Sequence, residues 1–530
     1  MNPAEISTET PAKRQHRHHR GRLWLALLLL LVLVAVGGVL YRQVFVKTYP
    51  VVYTDPAEHF KYGSIGSEPA SGLPYWIWKA LPLMFAEKLP AGTQGWEAFG
   101  FLYEAGRDLP IGVSQRKVTG IDRVWLNCSV CHVGTLRDGP GGERQLLLGA
   151  PSNNLRLFDF VQFLRAAAHD NRWQPDYVLA KIEEAGGNLN LLERLVYRFF
   201  VIGRVRAALL DLNSQLEFLD RQAALGHNWG PGRVDTFNPY KKLQLNWDMS
   251  RIPDEELTGA ADYPSIWMQG PRQGMFLHWD GNNPSVEERN LSASLGAGVT
   301  PVTIDMGSLQ RIRDWLWEFP APRFPAERID QAEAEQGRPI YARYCAACHG
   351  APQADGSGYD YDQSRFPRLG RVERLSAVAT DPGRWRAYTQ AFAGEQNMLF
   401  AGYPKPDQDC RQRLCSARFQ QFRKTDGYAN HPLDGIWARS PYLHNGSVPT
   451  LRALLDPAKD RPVTFQRGND VYDWDAVGYV SDQGGDAIGG GFLYDTRAPG
   501  NANTGHEGTA YGTELPAAAK DAIVEYMKTF

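Results

Sequence analysis

The sequence predicts a mostly α-helical, loop-rich protein with one N-terminal membrane helix and two domains outside the membrane. Three observations point there: an uncharged apolar run near the start, a short cysteine–histidine element that occurs twice, and a scarcity of long alternating strand patterns. Composition agrees. A chain of 530 residues allows about three domains and a sizeable core. Lys+Arg 57 against Asp+Glu 59, a net charge of -2, argues against a general nucleic-acid binder, which needs a basic excess. Hydrophobic content of 43% with 22% charged residues excludes both a disordered chain and a polytopic membrane protein. Six cysteines are too few for a disulfide scaffold at this length, and 15 tryptophans suit a protein that wraps a large flat apolar ligand.

The N-terminus sets the expected topology. Residues 1–22 carry Lys13, Arg14, Arg17, Arg20 and Arg22, and the run from Leu23 to Tyr41 holds no charge. At about 1.5 Å per residue that run just crosses a hydrocarbon core of about 30 Å. A cleaved signal peptide would have a shorter apolar region and a small-x-small site. The run instead ends in VGGVLYRQ, which favours an uncleaved anchor. Basic residues before the span predict a cytoplasmic tail (1–22), a single span (23–41) and export of residues 42–530. His16, His18 and His19 read as a polar flank of the anchor rather than a metal site.

The exported part divides between the two copies of the repeated element. Ser308–Trp317 reads as an amphipathic helix, broken by FPAPRFP at 319–325. The expected units are therefore 42–325, with a helical insertion around 154–225, and 326–530. The second unit opens with a helical stretch, Ala326–Tyr344, in which Pro339 predicts a kink or a new start, and closes with a helix at Ala517–Thr529. Gly484–Gly491 reads as loop.

The repeated element is C-x-x-C-H, at Cys128, Cys131 and His132 and again at Cys345, Cys348 and His349. This is the attachment signature of c-type haem: two thiols about a helical turn apart add to the vinyl groups, and the adjacent histidine becomes the proximal iron ligand. A redox dithiol does not need the histidine, and a zinc site built from both halves has two ligands too many. The fold class sharpens to two cytochrome c-like haem domains behind a single-pass anchor in a bacterial inner membrane, with the bulk of the chain in the periplasm. The remaining Cys410 and Cys415 read as a short-loop disulfide in an oxidising compartment.

The sixth iron position decides function, since a six-coordinate haem moves electrons and an open one binds oxygen or peroxide. Residues 133–168 contain no His, Met, Lys, Tyr or Cys, so the first haem has no strong ligand close by in sequence. His169, His227, His278, Met268 and Met275 are distant candidates. For the second haem His506, in a loop before the last helix, ranks first, ahead of His444 and Met398. The plain role for His444 is a hydrogen bond to a haem propionate or to loop backbone.

Residues 430–457, NHPLDGIWARSPYLHNGSVPTLRALLDP, resemble the C-terminal signature of bacterial dihaem cytochrome c peroxidases and their relatives, which include the methylamine-dehydrogenase maturation enzyme and the haem-dependent rubber oxygenases. Leu277–Arg289 resembles the first-domain W-D-G-R…E-Q segment, and residues 467–481 with the loop around His506 are most similar to the rubber-oxygenase branch. The resemblance implies that His506 is the distal ligand of the second haem and that Glu288, the nearest match to a peroxide-cleaving glutamate, is catalytic; a solvated helix charge is the competing reading. Trp267 matches the tryptophan between the haems, against simple core packing. The implied function is a membrane-anchored oxidoreductase in which the first haem takes peroxide or dioxygen and the second relays electrons. A pure respiratory electron carrier and a haem-based maturation or sensor protein are the alternatives. Implied cofactors are two covalent haem c groups, with one Ca2+ left open. Implied partners are the inner membrane, a soluble cytochrome or cupredoxin, and H2O2 or O2, with no nucleic acid.

Overall fold

The structure, a computed structural model, describes residues 11–42, 47–90, 93–399, 418–482, 487 and 489–530. Cys410 and Cys415 lie outside the described residues, as does most of the glycine-rich stretch at 484–491. The fold is helix-rich. The first helix, α1 (Pro11–Tyr41), carries exposed apolar side chains at every position from Trp24 to Val39. Among the described residues no helix is long and apolar enough to cross a membrane, so the anchor expected at 23–41 is not established by the fold and returns below as a proposal.

The chain then builds a four-stranded antiparallel sheet from β1 (Tyr49–Pro50), β2 (Leu73–Pro74), β3 (Val113–Val118) and β4 (Ile121–Leu126), in the order β1-β3-β4-β2. Thr119 and Gly120 both have positive φ, 50° and 79°, the two-residue turn whose twist matches a tight hairpin. β4 feeds the first C-x-x-C-H, and β5 (Val133–Leu136) pairs with β6 (Gln145–Leu148) directly after it. The first motif therefore sits between two hairpins rather than on a helix. These strands are four to six residues long, too short for alternation to stand out in the sequence.

The helices expected across 154–225 form as Leu157–Ala168, Pro175–Glu184, Leu191–Gln215 with a π-helical segment at Tyr197–Val201, and Phe218–Ala224. The amphipathic helix before the break is Met306–Glu318, capped by the Asp305 side chain. The helix Gln331–Tyr344 runs through Pro339 without a break, so of the expected kink or new start the new start does not occur. Packing against the C-terminal helix Ala517–Met527 holds it. Gly337 permits that approach, because a Cβ there would collide with the Ala522 carbonyl.

The apolar cores cross the expected boundary at 325. One core, with Trp78 stacked on Trp96 at 4.2 Å, belongs to the first half. A second gathers Leu136, Ala150 and Trp267 with Tyr341, Trp437, Tyr472 and Ile523. A third joins Phe60, Phe237 and Leu291 to Tyr388, Phe392 and Phe422. The two halves are thus interlocked around the region between the two motifs.

Candidate haem centres

At the first motif, Asn127 fixes the turn. Its Oδ1 accepts from the Ser129 amide at 3.0 Å, and its Nδ2 donates to Gly63 O at 3.0 Å. Cys128–Val130 forms a 3-10 turn. The His132 Nδ1 donates to the Pro264 carbonyl at 2.9 Å, which leaves Nε2 as the ligating nitrogen. Burial lowers the His132 pKa to about 4, opposed by the Pro264 bond, so the imidazole is neutral, the form a metal takes. Burial likewise pushes the Cys128 and Cys131 thiols up to about 11 and about 12.

The second motif repeats the arrangement. Cys345 follows the helix Gln331–Tyr344, and Ala346–His349 form one helical turn. His349 Nδ1 donates to the His431 carbonyl at 2.7 Å, and burial lowers its pKa. Here a second histidine faces the first. The ring centres of His349 and His506 lie 6.2 Å apart. An iron between two imidazoles needs about that separation, given metal–nitrogen bonds of about 2 Å and the ring radii. The His506 Nδ1 is buried with no hydrogen-bond partner, and its backbone is left-handed at φ 48°. Arg461, 2% exposed, clamps the loop by donating to Gly505 O at 2.9 Å, His506 O at 3.3 Å and Leu454 O at 3.2 Å. The His506 amide donates to Val378 O at 2.7 Å.

Buried cations supply a second test of fit. Arg289 donates only to the carbonyls of Met275 and Asn283, at 3.1 and 3.0 Å, and burial followed by Arg272 lowers its pKa to about 9. Arg233 is fully buried with carbonyl acceptors alone, Trp229 O and Ala260 O, and an unpartnered Nε. Buried guanidiniums that form no direct ion pair with a carboxylate among the described residues suit a ligand that brings its own, as haem does with its propionates. Cys128, Cys131, Cys345 and Cys348 are free cysteines, available for thioether attachment. The residues present therefore fit haem c.

The other expected site residues fall into place unequally. Trp267 is fully buried between the motifs. On one side Gly149 donates to His132 O and Ile266 donates to Gly149 O, each at 2.9 Å. On the other, the Trp267 indole donates to Asp434 O at 3.3 Å, three residues beyond His431. Gly435, at φ 62°, leaves room for the indole ring. Around it Asp434 is shared by Arg272 at 2.6 Å and Arg439 at 3.2 Å, and Arg439 lies 5.3 Å over the ring.

Glu288 is engaged. Its oxygens accept from the amides of Gln420 and Gln421, at 3.0 and 3.1 Å, and from Asn283 Nδ2 at 2.9 Å. His444 stacks on Tyr428 at 4.2 Å, and its backbone carbonyl accepts from the Asp262 amide at 2.9 Å. Met398 is 55% exposed with its sulfur 3.8 Å from Arg418, so it turns to the surface instead of toward His349. Of the distant candidates for the first haem, His227 has both nitrogens bonded, to Pro499 O at 2.9 Å and the Ala260 amide at 3.2 Å. His169 is exposed at a helix end, and Met275 is packed with Leu277 and Leu369. His278 has its Nδ1 held by Asn282 at 2.9 Å. No group of three or more His, Cys, Asp or Glu among the described residues could hold a separate metal ion.

Sequence reasoning missed the carbonyls of Pro264 and His431, the Arg461 clamp and the Arg272–Asp434–Arg439 cluster. A backbone acceptor has no residue signature, and the arginines sit far from the motifs in sequence.

Two family models match this chain. Residues 332–414 match cytochrome C oxidase, cbb3-type, subunit III, and residues 427–466 match the family described as RoxA-like, cytochrome c-like. The second half of the chain is cytochrome c-like. Covalently bound haem c follows, and with it haem-based electron-transfer or oxidoreductase chemistry. Among curated proteins, the uncharacterized protein y4iJ of Sinorhizobium fredii is 26% identical over 525 residues, 82% of this chain and 84% of that protein. The uncharacterized protein y4iM of the same organism is 32% identical over 289 residues, 51% of this chain and 64% of that protein.

Proposed function

We propose that this cytochrome c-like protein is a membrane-anchored dihaem oxidoreductase of the dihaem peroxidase and rubber-oxygenase type. Cys128, Cys131 and His132 hold one haem c; Cys345, Cys348, His349 and His506 hold the other. The iron supplies the redox chemistry, and the chain sets its ligands, polarity and access. The observation that carries the reading is an asymmetry: His349 faces His506 at 6.2 Å, whereas His227, His169 and Met275 are bonded, exposed or packed elsewhere, and His278, whose Nδ1 bond to Asn282 leaves Nε2 for a ligand, is the candidate near enough to interact with the charge of His132. Access of peroxide or dioxygen belongs to the His132 side and electron relay to the His349–His506 side. Trp267 lies on the short route between them. Residues 23–41 anchor the chain, and the exposed apolar side chains from Trp24 to Val39 support that. The bulk stands in the periplasm, where soluble cytochromes or cupredoxins supply electrons.

Electron paramagnetic resonance of the oxidised protein tests this. One high-spin and one low-spin signal are expected. Two low-spin signals would remove the oxidant-binding role and leave an electron carrier, the reading that the cbb3-type subunit III match favours.

A further inference from the structure

Residues 191–215 form one continuous helix: α-helical at Leu191–Val196, π-helical at Tyr197–Val201 and α-helical again at Ile202–Gln215. Its inner face is apolar: Tyr197, Val201, Ile202, Val205 and Leu209 are buried in the first core. Its outer face is apolar too. Leu191, Leu192, Leu195, Phe199 and Phe200 are between 43% and 76% exposed, and Gly203, Ala207 and Ala208 continue that face at helical spacing. A helix that is apolar on both faces needs a second apolar environment outside the protein core. On the rim, Arg204 is exposed, and Arg194 and Arg198, 41% and 39% exposed, are ion-paired with Glu183 and Asp176.

The helix lies where α1 enters the folded body. β1 pairs Tyr49 with Lys117, and β3 pairs Lys117 with Asp122. At about 4.8 Å between strands, these three residues lie on a line within about 10 Å. Tyr197 lies within electrostatic reach of Asp122: burial first, and then the Asp122 charge, raise its hydroxyl pKa. Seven residues separate Tyr41 from Tyr49, so even at full extension the connection would keep this end of the sheet within about 27 Å of the end of α1. Val51 and Val52, just beyond β1, are 40% and 70% exposed.

We propose that the outer face of residues 191–208 lies in the periplasmic leaflet of the membrane as an in-plane interfacial helix, with Arg204 at the phosphate level. An exposed apolar helix face of this kind binds bilayer surfaces in proportion to the apolar area it buries. The proposal rests on the reading of 23–41 as an anchor. It adds a second contact that fixes the orientation of the body above the bilayer.

The test uses full-length protein reconstituted into phosphatidylethanolamine–phosphatidylglycerol vesicles, with a spaced protease site inserted between Tyr41 and Thr48. After folding and complete cleavage, flotation on a density gradient reads which fraction of the body stays with lipid. Cleaved protein is expected to float, and L192E/F199E/F200E to lower the floating fraction by about tenfold or more. An unchanged Soret band controls for folding, and the milder L192Q/F200Q, expected to shift in the same direction, serves if the triple variant does not fold. Release of the cleaved unsubstituted body overturns the proposal without reference to any variant. Release by salt alone, equal in both forms, overturns the apolar contact. A soluble dimer that the glutamates dissociate assigns the face to a second copy and also overturns it. Uncut protein that fails to float defeats the anchor instead, so the two failures are distinct.

Discussion

The two C-x-x-C-H sites share a proximal half and differ in the distal half. Both histidines are half-buried, and each donates Nδ1 to a backbone carbonyl, Pro264 O at 2.9 Å and His431 O at 2.7 Å. That bond fixes the tautomer and makes each imidazole a good ligand. The difference lies across the ring. His349 meets His506 at 6.2 Å, and the loop that brings His506 is clamped by Arg461. The lesson is that the motif specifies attachment, and function is set by chain segments far away in sequence. In the second site that segment lies 157 positions after the proximal histidine.

The strongest way to break the contrast is to delete its distinguishing residue. His506→Ala is expected to convert the low-spin signal of the second haem to high spin, so that both centres become alike. Its reduction potential should move by a sizeable part of the roughly 0.8 V that axial ligands command. Spectroelectrochemistry and paramagnetic resonance read both changes. If the low-spin signal survives, His506 is not the ligand, and the 6.2 Å approach is packing alone.

What the sequence showed of this contrast, and what it hid, follows from the kind of signal each part carries. Both attachment motifs are contiguous and were legible outright. The helix leading into Cys345, the helix before the break and the terminal helix were legible from composition and periodicity. His506 stands out in the sequence through the resemblance of its loop. The hairpins around the first motif were not, because their strands are too short for alternation to register. Pro339 does not start a new helix, because tertiary packing against Ala517–Met527 outweighs its local cost. Met398 misled because sequence position says nothing about which way a residue on a surface segment turns, and 55% of it faces solvent.

A smaller change sharpens the comparison without touching a ligand. Arg461→Ala removes donors from the carbonyls of Leu454, Gly505 and His506 and leaves buried acceptors unpaired. At about 1–3 kcal/mol for an unsatisfied buried group, the loop should lose several kcal/mol of local stability. The expected result is a temperature-dependent mixture of low and high spin at the second haem, with the first haem unchanged. Arg461→Lys, with three donors for the five carbonyls that Arg461 serves, should fall between. A uniform drop in thermal stability with no spin change would assign Arg461 to the scaffold alone.

The smallest expected effect concerns the first site and decides between two roles for Glu288. Its carboxylate takes two backbone amides and one side-chain amide, so its acceptors are spent on holding residues 420–421 against the helix Val286–Gly296. Glu288→Gln keeps one acceptor oxygen and places an NH2 group opposite an amide N–H. That should cost about 1–2 kcal/mol of stability, read as a modest fall in melting temperature. If holding the chain is its whole role, the rate of reaction of the reduced protein with peroxide should stay within about twofold of the unsubstituted rate, since that corresponds to less than 1 kcal/mol in the barrier. A loss of about a hundredfold with the first haem's spectrum intact would mean that the glutamate leaves these amides to reach the oxidant. Glu288 would then be catalytic, and the contrast between the two sites would extend from ligands to acid–base chemistry.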